Sequence, residues 1–148
     1  MDRHDLFDVA AARGLAAGLP YAGALTPREA HELATEGAAT IIDVRTRAEW
    51  EFVGHVEYAP LVEWRPYGAT RPDPLFVDRM AARFPRGAPI LLLCRSGVRS
   101  HHAATALAQA GFTRVFNILE GFEGDSDEEG RRGRLGGWRH AGLPWTQG

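Results

Sequence analysis

With 148 residues, 45% of them hydrophobic and 24% charged, the chain fits one globular domain that can bury a core and needs no second one. A formal charge of −2 argues against a nucleic-acid binder that works through its overall field. One cysteine excludes an intrachain disulfide framework, no run nears the ~20 apolar residues of a membrane span, and the start at Asp2, Arg3, His4 and Asp5 lacks the apolar core of a secretory signal. A cytoplasmic protein with no nucleic-acid and no membrane partner is the expectation.

Residues 4–17 carry Leu6, Phe7, Val9, Ala10 and Leu15 along an Ala-rich stretch, which predicts a short amphipathic helix ended by Gly18 and Pro20. It forms an N-terminal extension, residues 1–20, to a domain over 21–148, and packs on that domain or on a partner. Residues 21–25 read as a first strand. Thr26-Pro27-Arg28-Glu29 combines a capping box with proline at the first helical position and predicts a helix over 27–36. Residues 39–44 form the second strand, with Asp43, Val44 and Arg45 at its carboxyl end. Residues 61–71, with Trp64, Pro66 and Gly68, read as irregular loop. Asp73-Pro74 is a helix start, Leu75, Phe76, Met80 and Phe84 share one side of that helix, and Pro85 stops it.

Four consecutive aliphatic residues, Ile90–Leu93, are too few for a helix and read as a strand buried on both faces. The strand ends at Cys94. Arg95, Ser96, Gly97, Val98, Arg99 and Ser100 follow, then a helix over 99–110 with Gly111 as its cap. His101 and His102 lie in its first turn, solvated or packed more readily than acting as ligands. A strand, a tight loop and a helix start make the place where open α/β sheets put their ligands.

If residues 95–100 curl around Cys94, unpaired backbone N–H groups, the helix dipole and two guanidinium groups favour a thiolate. Such surroundings bring a cysteine pKa from ~8.5 into roughly the 3.5–7.5 range. The alternative is a small buried hydrophobe at a strand end. Gly97, free to adopt conformations barred to other residues, and the closeness of Arg95 and Arg99 speak for the nucleophile. One cysteine and scattered histidines make no metal-ligand set. Residues 114–119 are the last strand.

Cys94-Arg95-Ser96-Gly97-Val98-Arg99-Ser100 resembles the active-site loop of rhodanese-domain sulfurtransferases. Ile42-Asp43-Val44-Arg45, Glu49-Trp50 and Gly54-His55-Val56 resemble that family's upstream block, and Gly136-Gly137-Trp138 with Ala141-Gly142-Leu143-Pro144 its closing segment. The similarity spans about residues 22–145. It implies an α/β, three-layer domain with a mainly parallel sheet of about five strands flanked by helices. It also makes Asp43, Arg45 and Glu49 framework ion pairs. His55 reads as structural too, since a reactive thiolate needs no base. Glu57-Tyr58 replaces the family's Pro-Gly, and residues 120–135 are an insertion before the glycine pair. With Asp125, Asp127, Glu128, Glu129, Arg131, Arg132 and Arg134, that insertion should hang over the site, either merely solvated or selecting an anionic acceptor.

The resemblance implies a sulfurtransferase that moves sulfur from thiosulfate or a related donor to cyanide, a thiol or a sulfur-acceptor protein through a Cys94 persulfide, without metal or organic cofactor. Arg95 and Arg99 would bind the donor's anion, with residues 95–100 around it. Two alternatives stand: a non-catalytic module that binds a partner or only carries sulfur, and a phosphatase or arsenate reductase. Cysteine phosphatases that share the fold place five residues between cysteine and arginine. Here four separate Cys94 from Arg99, a smaller loop that suits one extra sulfur.

Overall fold

The computed structural model of the chain describes residues 3–147. In chain order its elements are α1 (Arg3–Ala17), β1 (Gly23–Leu25), α2 (Pro27–Thr35), β2 (Thr40–Asp43), a π-helical turn (Glu49–Val53), α3 (Phe76–Arg83), β3 (Ile90–Leu93), α4 (Val98–Gln109) and β4 (Val115–Ile118). The strands pair in the order β1-β4-β3-β2, all parallel. β3 and β4 are therefore central, and the carboxyl ends of β2, β3 and β4 lie side by side.

Side chains alternate along a strand, so β3 feeds two apolar layers. Leu91 and Leu93 join Leu6, Ala10 and Leu33 of α1 and α2, together with Phe122 and Trp138. Ile90, Leu92 and Cys94 join Phe76, Met80 and Leu107 of α3 and α4. Helices thus cover both faces of the sheet, which is what an unbroken aliphatic strand requires.

Local chemistry sets the helix starts. Thr26 Oγ1 accepts the Glu29 N–H at 3.2 Å and Glu29 Oε1 accepts the Thr26 N–H at 2.8 Å, the reciprocal box that opens α2. At Asp73-Pro74 the outcome differs from the expected start. Asp73 accepts the Leu75 N–H on its carboxylate and the Phe76 N–H on its carbonyl, so the pair builds a turn and α3 begins after it.

The sheet has four strands, where about five were expected. Residues 60–64 lie along the end of β2 through Asp43 N–H to Pro60 O and Val62 N–H to Asp43 O, both 2.9 Å, and Trp64 N–H to Val44 O at 3.1 Å. Only one bridge, Asp43 to Leu61, is formed there. Pro60 and Pro66 deprive this segment of amide donors and keep it from extending into a ladder.

The N-terminal helix packs on the sheet. Leu6 and Ala10 are buried, and Arg13 forks onto Glu29 of α2 at 2.6 and 3.0 Å. α1 crosses so close to β1 that a methyl group on Gly23 would overlap the Ala10 carbonyl. No described helix is long and apolar enough to cross a membrane. Gly23→Ala is expected to cost about 1–3 kcal/mol through this overlap, read as a fall of several degrees in Tm with the far-UV spectrum retained. An unchanged Tm would show that α1 is not held against β1.

Candidate active site

β3 delivers Cys94 to the edge of the sheet between the ends of β2 and β4. Its Sγ accepts the Gly97 N–H at 3.0 Å and lies 3.2 Å from Ser100 Oγ. Gly97 aims that amide from φ 108°, a conformation that strains any residue with a side chain, and it caps α4. Cys94 is 1% exposed. The anticipated ring of amides reduces to one N–H and one hydroxyl among the described residues. Ser96 is half-buried and Val98 lies on the exposed rim. Ser100 is buried and donates to Asn117 Oδ1 at 2.6 Å, while Asn117 Nδ2 donates to the Gly97 carbonyl at 3.1 Å.

The two loop arginines line one cleft but differ in their partners. Arg99 forks onto Glu49 with contacts of 2.6 and 2.8 Å. Burial by itself would push the Glu49 carboxyl up. The hydrogen bonds and charge of Arg99, with the Thr46 N–H and hydroxyl, outweigh it and hold the carboxyl down at about 2. Arg99 is committed to Glu49 because a fork-to-fork pair satisfies both planar groups at once.

Arg95 is exposed and lines a cleft of about 560 Å³ together with Arg65, Phe52, Tyr67, Glu123 and the Glu49–Arg99 pair. Among the described residues neither Arg65 nor Arg95 has a side-chain hydrogen bond or ion pair, unlike Arg13, Arg45 and Arg99. Two free guanidinium groups on one cleft can meet an anion.

Asp43 and Arg45 are completely buried and hold each other through three contacts between Arg45 Nε or Nη2 and the Asp43 carboxylate, 2.8 to 3.1 Å. Arg45 also donates to the Gly54 carbonyl at 2.7 Å and lies 4.4 Å over the Phe122 ring. His55 stacks on Trp50 with centroids 3.5 Å apart, and its Nδ1 lies 2.8 Å from the Trp50 carbonyl. Arg45 thus ties the turn at 49–55 to β2, while His55 braces that turn against Trp50.

The insertion at 120–135 is folded onto the loop rather than suspended over it. Phe122 N–H donates to the Cys94 carbonyl at 2.8 Å and Glu123 N–H to the Arg95 carbonyl at 2.9 Å. A methyl group on Gly121 would overlap the Cys94 and Arg95 backbone, so only glycine allows this approach. Further out, Asp127 accepts the N–H groups of Glu129 and Arg131, both at 2.9 Å, and pairs with Arg134 at 3.4 Å, while Arg132 donates to the Gly124 carbonyl at 2.7 Å. Asp127, Glu129, Arg131, Arg132 and Arg134 thus find their partners within the segment.

Arg65 and Asn117 were not singled out from the sequence. Asn117 carried a signal, as the one polar residue in Val115–Ile118; Arg65 sits in a stretch without periodicity.

A family model described as a rhodanese-like domain matches residues 26–128. The chain belongs to the rhodanese-like domain family. The rhodanese-like fold is shared with the crystal structure of Rv0390 from M. tuberculosis, at 43% identity and a TM-score of 0.77, covering 86% of this chain and 99% of that one. An uncharacterized protein of Rickettsia conorii, RC0915, is 33% identical over 110 residues, 72% of this chain and 82% of the relative. The thiosulfate sulfurtransferase GlpE of Actinobacillus pleuropneumoniae is 27% identical over 120 residues, 81% of this chain and 89% of the relative. In fold alone, the rhodanese-like domain also resembles a polysulfide-sulfur transferase homodimer from Wolinella succinogenes, at 22% identity and a TM-score of 0.60 over 100% of this chain and 95% of that one.

The depressed Glu49 carboxyl makes the brace pH-sensitive in a defined direction. Its contribution to stability is full above its ordinary value of 4.5 and is lost as the pH falls toward about 2. Denaturant unfolding of the protein and of Glu49→Gln should therefore differ most above pH 4.5 and converge below it. A gap that stays constant with pH would contradict the assignment.

Proposed function

We propose that this rhodanese-like protein is a sulfurtransferase that carries sulfur on Cys94. The observation that supports it most is the sulfur at the carboxyl end of a central strand, receiving the Gly97 N–H at 3.0 Å beside a cleft with two unpaired arginines. Kinship with a named thiosulfate sulfurtransferase points the same way.

In the first step the Cys94 thiolate attacks the outer sulfur of thiosulfate, the S–S bond breaks, and sulfite leaves with the bonding pair. Cys94 is now a persulfide. In the second step cyanide or a thiolate attacks the outer sulfur and the Cys94 thiolate departs. The Gly97 amide stabilises the anionic sulfur at both stages. Arg65 and Arg95 bind the donor's oxygens as a charged pair at the cleft wall. Arg99, bound to Glu49, shapes the loop rather than holding the donor. No metal or organic cofactor takes part in these steps.

Because the two steps are separated by a covalent intermediate, thiocyanate formation should follow ping-pong kinetics, with parallel double-reciprocal lines for thiosulfate and cyanide. Cys94→Ser should form none. Arg65→Ala and Arg95→Ala should each raise the KM for thiosulfate about tenfold or more, since a charge-assisted hydrogen bond is worth ~1.5–3 kcal/mol, with a smaller effect on kcat. Intersecting lines, or turnover by Cys94→Ser, would contradict the mechanism. The 1% exposure of Cys94 favours one other reading, a module that binds a partner without turnover. Absence of thiocyanate with every donor tried would leave that reading.

A further inference from the structure

Ser100 has one hydroxyl proton, and two neighbours compete for it. Asn117 Nδ2 lies 3.1 Å from the Gly97 carbonyl, an atom that only accepts, so the amide NH2 must face Gly97. Its oxygen therefore faces Ser100, 2.6 Å away. An amide oxygen also only accepts, so the Ser100 proton lies on the line to Asn117. Toward Cys94, 3.2 Å away, Ser100 then presents a lone pair. A lone pair accepts from an S–H group and repels a thiolate. Tyr21 and His101 line the same cavity as Asn117, and the Tyr21 hydroxyl is occupied by His101 Nδ1 at 2.7 Å.

We propose that Asn117 is a positioning residue for Cys94: by holding the Ser100 proton it keeps Ser100 an acceptor toward the sulfur and raises the pH at which Cys94 becomes reactive. Among the described residues Gly97 N–H is then the one short donor opposing this, and the two together set the balance between thiol and thiolate. The inference rests on the proposed function only in taking Cys94 as the reacting group. Its readout needs no sulfur transfer, so either can fail while the other stands.

The other groups facing the sulfur are Arg99 with Glu49 from the π-helical turn, Asp43 with Arg45 from the end of β2, the amino-terminal turn of α4, and Tyr21 and His101 beyond Asn117. All remain in place in the variants that test the idea. Cys94 is the only cysteine, so alkylation by iodoacetamide reads it alone.

The alkylation rate is followed from about pH 5 to 10 in the parent, Asn117→Ala, Ser100→Ala and the double variant. In Asn117→Ala the freed hydroxyl turns to the sulfur and the midpoint falls by roughly half a pH unit or more. In that background Ser100→Ala should raise the midpoint, whereas in the parent it should leave the midpoint unchanged or lower it. A midpoint that stays or rises in Asn117→Ala, or an equal effect of Ser100→Ala in both backgrounds, overturns the proposal. Should Asn117→Ala fail to fold, Ser100→Ala decides alone. A rise would mean that Ser100 already donates to sulfur, overturning the proposal; an unchanged midpoint or a fall supports it.

Discussion

The hydrogen bond from the Gly97 amide to the Cys94 sulfur is the contact on which the site depends. It needs a backbone at φ 108°, which glycine tolerates and which the surroundings must hold. They hold it from three directions. On the β2 side, Glu49 grips Arg99. On the β4 side, Asn117 grips the Gly97 carbonyl, and from the segment after β4 the amides of Phe122 and Glu123 bind the Cys94 and Arg95 carbonyls. The strand order β1-β4-β3-β2 makes this possible, because it sets β3 between the two strands that supply the braces.

Charge is divided between framework and recognition. The Asp43–Arg45 pair is wholly out of water, where desolvation offsets much of the attraction, so its role is to fix geometry: it joins β2 to Gly54 and Phe122. Glu49–Arg99 does the same for the loop with partial solvent access. Arg65 and Arg95 are left for a ligand. In the proposed reaction anion binding and sulfur chemistry thus fall on different residues, with the buried Cys94 beneath the loop and the unpaired arginines on the cleft wall. A donor reaching Cys94 must displace part of that cover.

Local patterns made much of this legible. The aliphatic run Ile90–Leu93, the Thr26 to Glu29 box and the glycine after Cys94 each encode their structure within a few residues, and each formed within a residue or two of its expected bounds. What was not legible depended on distant partners. Arg99 and Glu49 are fifty residues apart, and nothing next to Arg99 says that its guanidinium is taken up by Glu49. No fifth strand forms: beside β2 only the Asp43–Leu61 bridge pairs, in a stretch that reads as loop and carries Pro60 and Pro66. The Glu49–Val53 turn is too short to carry a period. In the insertion the mixture of Asp, Glu and Arg looked available for a partner, but the chain closes on Asp127 and satisfies most of those groups internally.

The most direct test of the central claim, that this cradle lets Cys94 carry sulfur, is the intact mass of the protein after incubation with thiosulfate and, separately, with polysulfide. One added sulfur atom, located on Cys94 and removed by cyanide as thiocyanate, is the expected result. A mass unchanged by both donors, with Cys94 still free to be alkylated, would contradict it.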